Sequence, residues 1–178
     1  MSTWTVGFRV PMVGSRFFSF PDPVNEVSAR LVAAGVVVLS LATMAFDQPA
    51  LLVLIAYGFV ARVLAGPTLS PLALLVTRVV TPRLPVAPRL VPGPPKRFAQ
   101  GIGAVLSLSA AVLAFGFDQR AGAYALLAVL IAAATLEAVF AVCLGCHVFA
   151  LLMRTGLIPE RVCSQCSDLW SRPVTRPF

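Results

Sequence analysis

Charged side chains are scarce in this chain. Asp, Glu, Lys and Arg make up 12% of its 178 residues, about half the share of a soluble domain. So thin a polar shell excludes an ordinary water-facing globule. Acidic residues are the scarcest, seven against fourteen basic, which leaves a net charge of +7. No run of Lys and Arg interleaved with aromatics is present, so no nucleic-acid interface is expected. The opening MSTWTVGFRVPMVGSRFFSFPDP lacks a continuous apolar core and a small-residue cleavage site, so it reads as a tail and not a signal peptide. No catalytic constellation is recognisable. Cysteine is missing from the first 142 residues; all four cysteines fall in CLGCHVFALLMRTGLIPERVCSQC.

What is present is apolar. Hydrophobic residues make up 58% of the chain and the mean hydropathy is +0.90. Four runs stand out: Arg30 to Phe46, Pro49 to Gly66, Arg97 to Phe117, and a fourth from near Ala121 through the first cysteines. Each covers roughly the 20 helical residues that a bilayer core demands. Asp22 and Pro23 suit the N-cap and first position of the first helix, with Glu26 and Arg30 one turn apart and able to pair. Asp47-Gln48 and Asp118-Gln119-Arg120 form tight connections. Twelve of the fourteen basic residues fall on one side of the resulting bundle; Arg120 falls on the other and Arg62 within the second run. The positive-inside rule then predicts both termini and the long central loop on the cytoplasmic side of a bacterial cytoplasmic membrane.

The predicted fold class is all-α integral membrane. Residues 1–21 form an N-terminal cytoplasmic tail, 22–66 a first helical hairpin, and 67–96 a cytoplasmic loop. Residues 97–155 form a second hairpin and 156–178 a C-terminal cysteine-containing tail. In the loop, Leu69 to Val80 reads as a short interfacial helix. TPRLPVAPRLVPGPPKR reads as an extended proline-rich strap, a stiff spacer rather than a docking strip.

The two hairpins resemble each other. RLVAAGVVVLSL aligns without gaps on RFAQGIGAVLSL, both connections carry FDQ, and LLVLIA matches LLAVLIA. This predicts two parallel repeats about an axis along the membrane normal, with Gly35, Gly101 and Gly103 allowing close approach. Arg62 and Glu137 fall at near-equivalent depths in the second helix of each half. Intramembrane charges are costly and tend to face each other, so an Arg62–Glu137 ion pair is expected; the alternative is an Arg62 that snorkels to the headgroups.

The cysteines are spaced Cys-x2-Cys-x16-Cys-x2-Cys, inside the window of four-thiolate zinc sites. Counted from Ala121, Cys143 lies ~33 Å along a continuous fourth helix, at the predicted cytoplasmic surface. A turn at Gly156 to Pro159 would return Cys163 and Cys166 to Cys143 and Cys146, with His147 as a replacement or supporting ligand. An iron–sulfur centre would use the same thiolates. The competing expectation is dithiol chemistry. It is weakened for Cys143 and Cys146 while they sit late in a long helix, where the dipole disfavours thiolate, and it recovers if Gly145 breaks the helix and starts a new one; Cys163 and Cys166 carry no such handicap.

The stretches PDPVNEVSARLVAAG, VPGPPKRFAQGIG, LEAVFAVCLGCHVFALL and GLIPERVC resemble a family of small four-span bacterial membrane proteins classed as a domain of unknown function. The resemblance runs from about Asp22 to Asp168, and CLGC with its preceding Glu is similar to the family's hallmark. It implies association with thioredoxin-like or sulfurtransferase-type partners, and the composition leans towards an actinobacterium. Two functions are therefore expected. One is a non-enzymatic scaffold or accessory subunit of a larger membrane complex, stapled by structural zinc. The other is a thiol–disulfide or sulfur-relay protein using the same cysteines. A transporter is a distant third, because few polar groups lie within the spans.

Overall fold

The structure, a computed structural model, describes residues 20–159 and 162–163. Four helical stretches are long and apolar enough to cross a membrane: Glu26–Ala45, Ala50–Arg83, Gly93–Gly116 and Arg120–Phe140. Large apolar side chains such as Val38, Val53, Val105, Val112 and Val129 point outwards on all four. A helix apolar all round belongs in lipid, where its backbone is satisfied internally.

Helix α1 (Glu26–Ala45) is capped by Asn25, whose Oδ1 accepts the Val27 N–H at 3.0 Å. The expected cap, Asp22, is used elsewhere: its Oδ1 accepts from the N–H of Gly93 at 2.9 Å, the first residue of α4 (Gly93–Gly116). The expected Glu26–Arg30 pair is replaced too. Glu26 pairs with Arg89 at 3.0 Å, because the proline-rich strap folds back over the start of α1. There β1 (Val24–Asn25) and β2 (Leu90–Val91) form a two-residue antiparallel ladder. The strap can do this because Leu90 and Val91 keep the N–H groups that its prolines lack.

Helix α2 (Ala50–Ala65) ends at Gly66, which turns the chain at φ 62°. The loop helix α3 (Pro71–Leu75) continues as one π turn, Val76–Val80. Its Ala73 and Val76 bury against Val32 of α1. Helix α4 starts four residues before the expected Arg97, because Pro94 and Pro95 sit in a first turn that needs no N–H. Helices α5 (Arg120–Phe140) and α6 (Leu144–Arg154) follow.

Around the bundle the order is α1, α2, α4, α5, so α2 and α5 sit on a diagonal; α6 lies on α4. The core is built from Val36, Leu52, Ile55, Phe59, Leu127 and Leu130, with alanines between them. At Gly103 an added Cβ would lie 2.2 Å from the Phe59 ring, so α2 and α4 touch there, and at Gly35 it would meet Leu72 of α3. Gly101, expected to serve the same purpose, faces open space. The two FDQ connections share a conformation: Asp47 and Asp118 both adopt positive φ, 46° and 51°. Aspartate tolerates this left-handed region better than most residues.

Candidate dithiol site

The fourth span does not run through the first cysteines. Helix α5 stops at Phe140, and Ala141 takes the left-handed conformation at φ 57°, with its N–H on Leu136 O. Arg30 of α1 holds this end. Its Nε and Nη2 donate to Ala138 O at 3.1 and 3.0 Å, and Nη2 donates to Val139 O at 3.1 Å. A guanidinium there satisfies carbonyls that a helix C-terminus leaves open and meets the negative end of its dipole.

Three residues later a new helix starts, and Cys143 is its N-cap, with extended backbone (φ −94°, ψ 102°). Cys146 falls three residues on, in the first turn of α6. The sequence expectation of thiols late in a long helix is thus overturned: both sit at a helix N-terminus, where the dipole favours thiolate. His147 is in the same turn; its Nδ1 lies 2.9 Å from Cys143 O, and its backbone N–H donates to that oxygen at 3.1 Å.

Gly145, the middle of CLGC, brings α6 against α4. A Cβ there would lie 2.5 Å from Ala99 Cβ and 2.6 Å from Ala99 Cα. This contact seats the thiols beside Lys96, one turn into α4. Lys96 Nζ pairs with Glu137 Oε1 at 2.7 Å, and both side chains are largely buried. Cys143 is buried and Cys146 half-buried; neither is in a disulfide. A hydrogen bond from the Cys146 thiol draws the Cys143 thiol below its ordinary pKa; Lys96 pulls the same way, while burial and Glu137 oppose. The same hydrogen bond, with burial, pushes the Cys146 thiol up. The two thiols therefore differ: Cys143 is the more acidic of the pair and Cys146 the less acidic.

Arg62 lies deeper, only 5% exposed. Its Nε donates to Gln100 Oε1 at 2.8 Å, Nη1 donates to Ser70 Oγ at 3.1 Å, and the guanidinium lies 4.4 Å over the Phe59 ring. It does not form the expected ion pair with Glu137, which takes Lys96 instead. The bundle order fits this: Arg62 on α2 and Glu137 on α5 lie across the diagonal, on the wall of one cavity, while Lys96 is on α4, which neighbours α5.

Two cavities meet at the dithiol. One, of about 290 Å³ at the bundle end, is lined by Glu26, Arg89, Lys96, Cys143, Cys146 and His147, among others. The other, of about 240 Å³, lies inside the bundle between Phe59, Arg62, Gln100, Glu137 and Cys143. Cys143 is the one residue common to both linings.

Of the four expected ligands, the structure brings Cys143 and Cys146 together. Cys163 is disulfide-bonded and buried against Phe149 of α6. Cys166 lies outside the described residues. Among the described residues, no three His, Cys, Asp or Glu side chains converge as a metal site. Sequence reasoning missed Lys96, Gln100 and Arg30. Lys96 was hidden in a stretch read as strap, although two prolines followed by Lys could have marked a helix start. Gln100, the lone amide in the third span, was a signal passed over.

No curated protein and no solved structure matches this chain. A family model described as Domain of unknown function (DUF4395) matches residues 24–154, from β1 to the last residue of α6. That segment contains Arg62, Lys96, Glu137, Cys143 and Cys146, it is well over half of the chain, and the chain belongs to the DUF4395 family.

Proposed function

We propose that this is a membrane thiol–disulfide exchange protein whose working dithiol is Cys143 and Cys146. One observation carries the reading: the chain breaks at Ala141 so that Cys143 caps the N-terminus of α6. A pair of thiols needs one low-pKa member to attack and one proton-holding member to resolve. Cys143 and Cys146 differ in that sense.

In the forward step, the Cys143 thiolate attacks one sulfur of a partner disulfide, forming a mixed disulfide and expelling a partner thiolate. Cys146 then loses its proton and attacks Cys143 Sγ. The partner's second sulfur leaves, and a Cys143–Cys146 disulfide closes. Two electrons pass to the partner, and the two thiol protons go to its released sulfurs. The bundle-end cavity, with Arg89 and Lys96 in its wall, is the side from which a thioredoxin-like partner reaches the pair. The basic residues Arg83, Arg89, Lys96 and Arg154 on this end favour the cytoplasmic face for it.

The matching FDQ turns support reading the two hairpins as a duplication. So does a reciprocal contact. Arg30 of α1 bonds the last turn of α5, and its aligned counterpart Arg97 of α4 donates to Val63 O in the last turn of α2.

The full-length protein, purified in detergent, is equilibrated in glutathione buffers of graded potential and its free thiols are alkylated. A reversible two-thiol transition is expected. Cys143→Ser should abolish mixed-disulfide formation with a thioredoxin, and Cys146→Ser should trap it. One tightly held zinc per chain, with Cys143, Cys146, Cys163 and Cys166 all protected from alkylation, would sink the proposal in favour of a zinc-stapled scaffold or accessory subunit.

A further inference from the structure

The cavity inside the bundle has a composition that the exchange reaction does not need. Its walls are apolar on four sides, with Val36, Phe59, Leu106 and Leu130 contributing from α1, α2, α4 and α5. Into this setting the fold puts one guanidinium. Arg62 is 5% exposed; its Nε and Nη1 are bonded to Gln100 and Ser70, but its Nη2 makes no hydrogen bond among the described residues. No carboxylate of the described residues lies within ion-pair distance of it. A guanidinium on so buried a side chain, with one donor unpaired, is unfavourable in a bilayer-facing bundle and marks a site that takes an acceptor. Across the cavity stand Glu137, one of whose carboxylate oxygens is bonded to Lys96, and the thiol of Cys143.

We propose that this cavity holds the ring of a lipid-soluble quinone, with a ring oxygen accepting from Arg62 Nη2, and that the Cys143–Cys146 dithiol reduces it to the quinol. The inference rests on the dithiol reading above and assigns that dithiol an electron acceptor. A quinone suits each wall. Its ring is flat and apolar, it offers two acceptor oxygens and no donor, and it gains negative charge as it is reduced. A fixed guanidinium therefore stabilises the reduced form more than the oxidised one. About 240 Å³ suits a substituted ring without its tail. The tail has a path: Ile102 and Leu106 also line a cleft of about 880 Å³ on the outside of α4, with Val105, Phe98 and Phe149, where Gly101 leaves open space.

The step balances without a further reactant. The S–H bonds of Cys143 and Cys146 break and their sulfurs join. Two electrons enter the ring, and two protons reach its two oxygens. Cys143 is the only described residue in both cavity walls, so, with the exchange step above running in reverse, it can accept reducing equivalents from a protein dithiol at the bundle end and pass them inwards. A dithiol protein serving only protein partners has no use for the inner cavity.

The test uses the full-length protein in lipid nanodiscs, reduced and freed of reductant. The probe is a decyl-tailed benzoquinone with every ring position substituted, so that a thiol cannot add to the ring. The expected result is one quinone reduced, by absorbance, for every two protein thiols lost. Arg62→Gln should slow this about tenfold or more, as loss of a charged hydrogen bond implies, while leaving exchange with glutathione unchanged. Ala133→Phe, which fills the cavity from α5, should slow it as well and covers the case in which the Arg62 variant does not fold. If the reduced protein exchanges disulfides with glutathione but reduces the quinone no faster than free dithiothreitol, the quinone site is refuted and the dithiol reading stands. If it does neither, both fall. Equal quinone rates in wild type and both cavity variants would also refute the site.

Discussion

The two hairpins share a frame and differ in what they carry at one end. Each first helix holds a fully buried serine at the same aligned place, Ser40 in α1 and Ser107 in α4. Each begins with an arginine that bonds the far end of the other hairpin's second helix. Each second helix ends at a residue of positive φ, Gly66 after α2 and Ala141 after α5. Beyond those residues the likeness stops. After Gly66 the chain forms α3, whose preceding Ser70 supports Arg62; after Ala141 it forms α6 and presents two thiols. The shared parts build the bundle. The parts found in one hairpin only, namely Arg62, Lys96, Glu137 and the cysteines, converge where the two second helices end. Buried charge in a bilayer-facing bundle is unfavourable, and the buried Arg62 and Lys96 of the described residues both lie towards that end, which marks it as the working end.

The sharpest way to break this contrast is at the buried ion pair. Lys96 and Glu137 are 8% and 14% exposed at their side chains. Replacing Glu137 by Leu leaves the ammonium without its partner, and removal of one member of a buried pair typically destabilises by about 3–5 kcal/mol. Lys96→Met with Glu137→Leu removes both charges and should recover most of that loss. Unfolding in graded denaturing detergent measures both. A single variant as stable as wild type would show that the pair is not buried as described. In the double variant the Cys143 thiol loses both the opposing carboxylate of Glu137 and the weaker favouring pull of Lys96, so its alkylation at neutral pH should be no slower than in wild type.

Gly145 offers a smaller test on the same end. Alanine there must displace the Ala99 backbone contact, which costs about 1–3 kcal/mol as overpacking does elsewhere. It also lifts α6 from α4 and relieves the burial that opposes the Cys143 thiolate more than Lys96 favours it, so alkylation of Cys143 at pH 7 should quicken. Gly101→Ala is the control: it meets nothing within 4 Å and should change neither stability nor alkylation. Equal behaviour of the two variants would remove the reason for a glycine between these cysteines.

These sites differ in how far the sequence discloses them. The four spans, their tight connections and the cysteine pairs are visible in composition and spacing, because lipid demands long apolar helices whatever their neighbours. The break before Cys143 is not visible. FAVC contains neither Gly nor Pro, and Ala141 is an unusual left-handed residue. The end of α5 is met from 108 residues away by Arg30, which bonds Ala138 O and so satisfies a carbonyl that the break leaves open. The partner of Glu137 was hidden for a similar reason. Depth along a helix can be counted from sequence, but which helices are neighbours cannot, and α4 rather than α2 lies beside α5. In both cases a tertiary contact overrides local pattern.

The smallest effect belongs to the opposite end, where the two FDQ turns can be compared directly. Asp47 takes hydrogen bonds from Tyr124 and Arg120, whereas Asp118 stands 3.9 Å from Arg120 and is 91% exposed. The Tyr124 hydroxyl, with Arg120, holds the Asp47 carboxyl below its ordinary value despite an opposing desolvation. A carboxyl depressed in the folded state contributes stability above its unfolded pKa, about 3.9, and loses it as pH falls through the folded value. Asp47→Asn should therefore leave the neutral-pH unfolding midpoint almost unchanged, since the group is fully exposed and asparagine tolerates the same left-handed backbone. Its midpoint should fall less than that of wild type when the pH is lowered from 5 to about 3, in the range where carboxylates titrate. Asp118→Asn, at the matching place in the second turn, should follow the wild-type acid profile. If the two variants respond alike, the Asp47 contacts with α5 contribute nothing, and the two turns are equivalent in energy as well as in conformation.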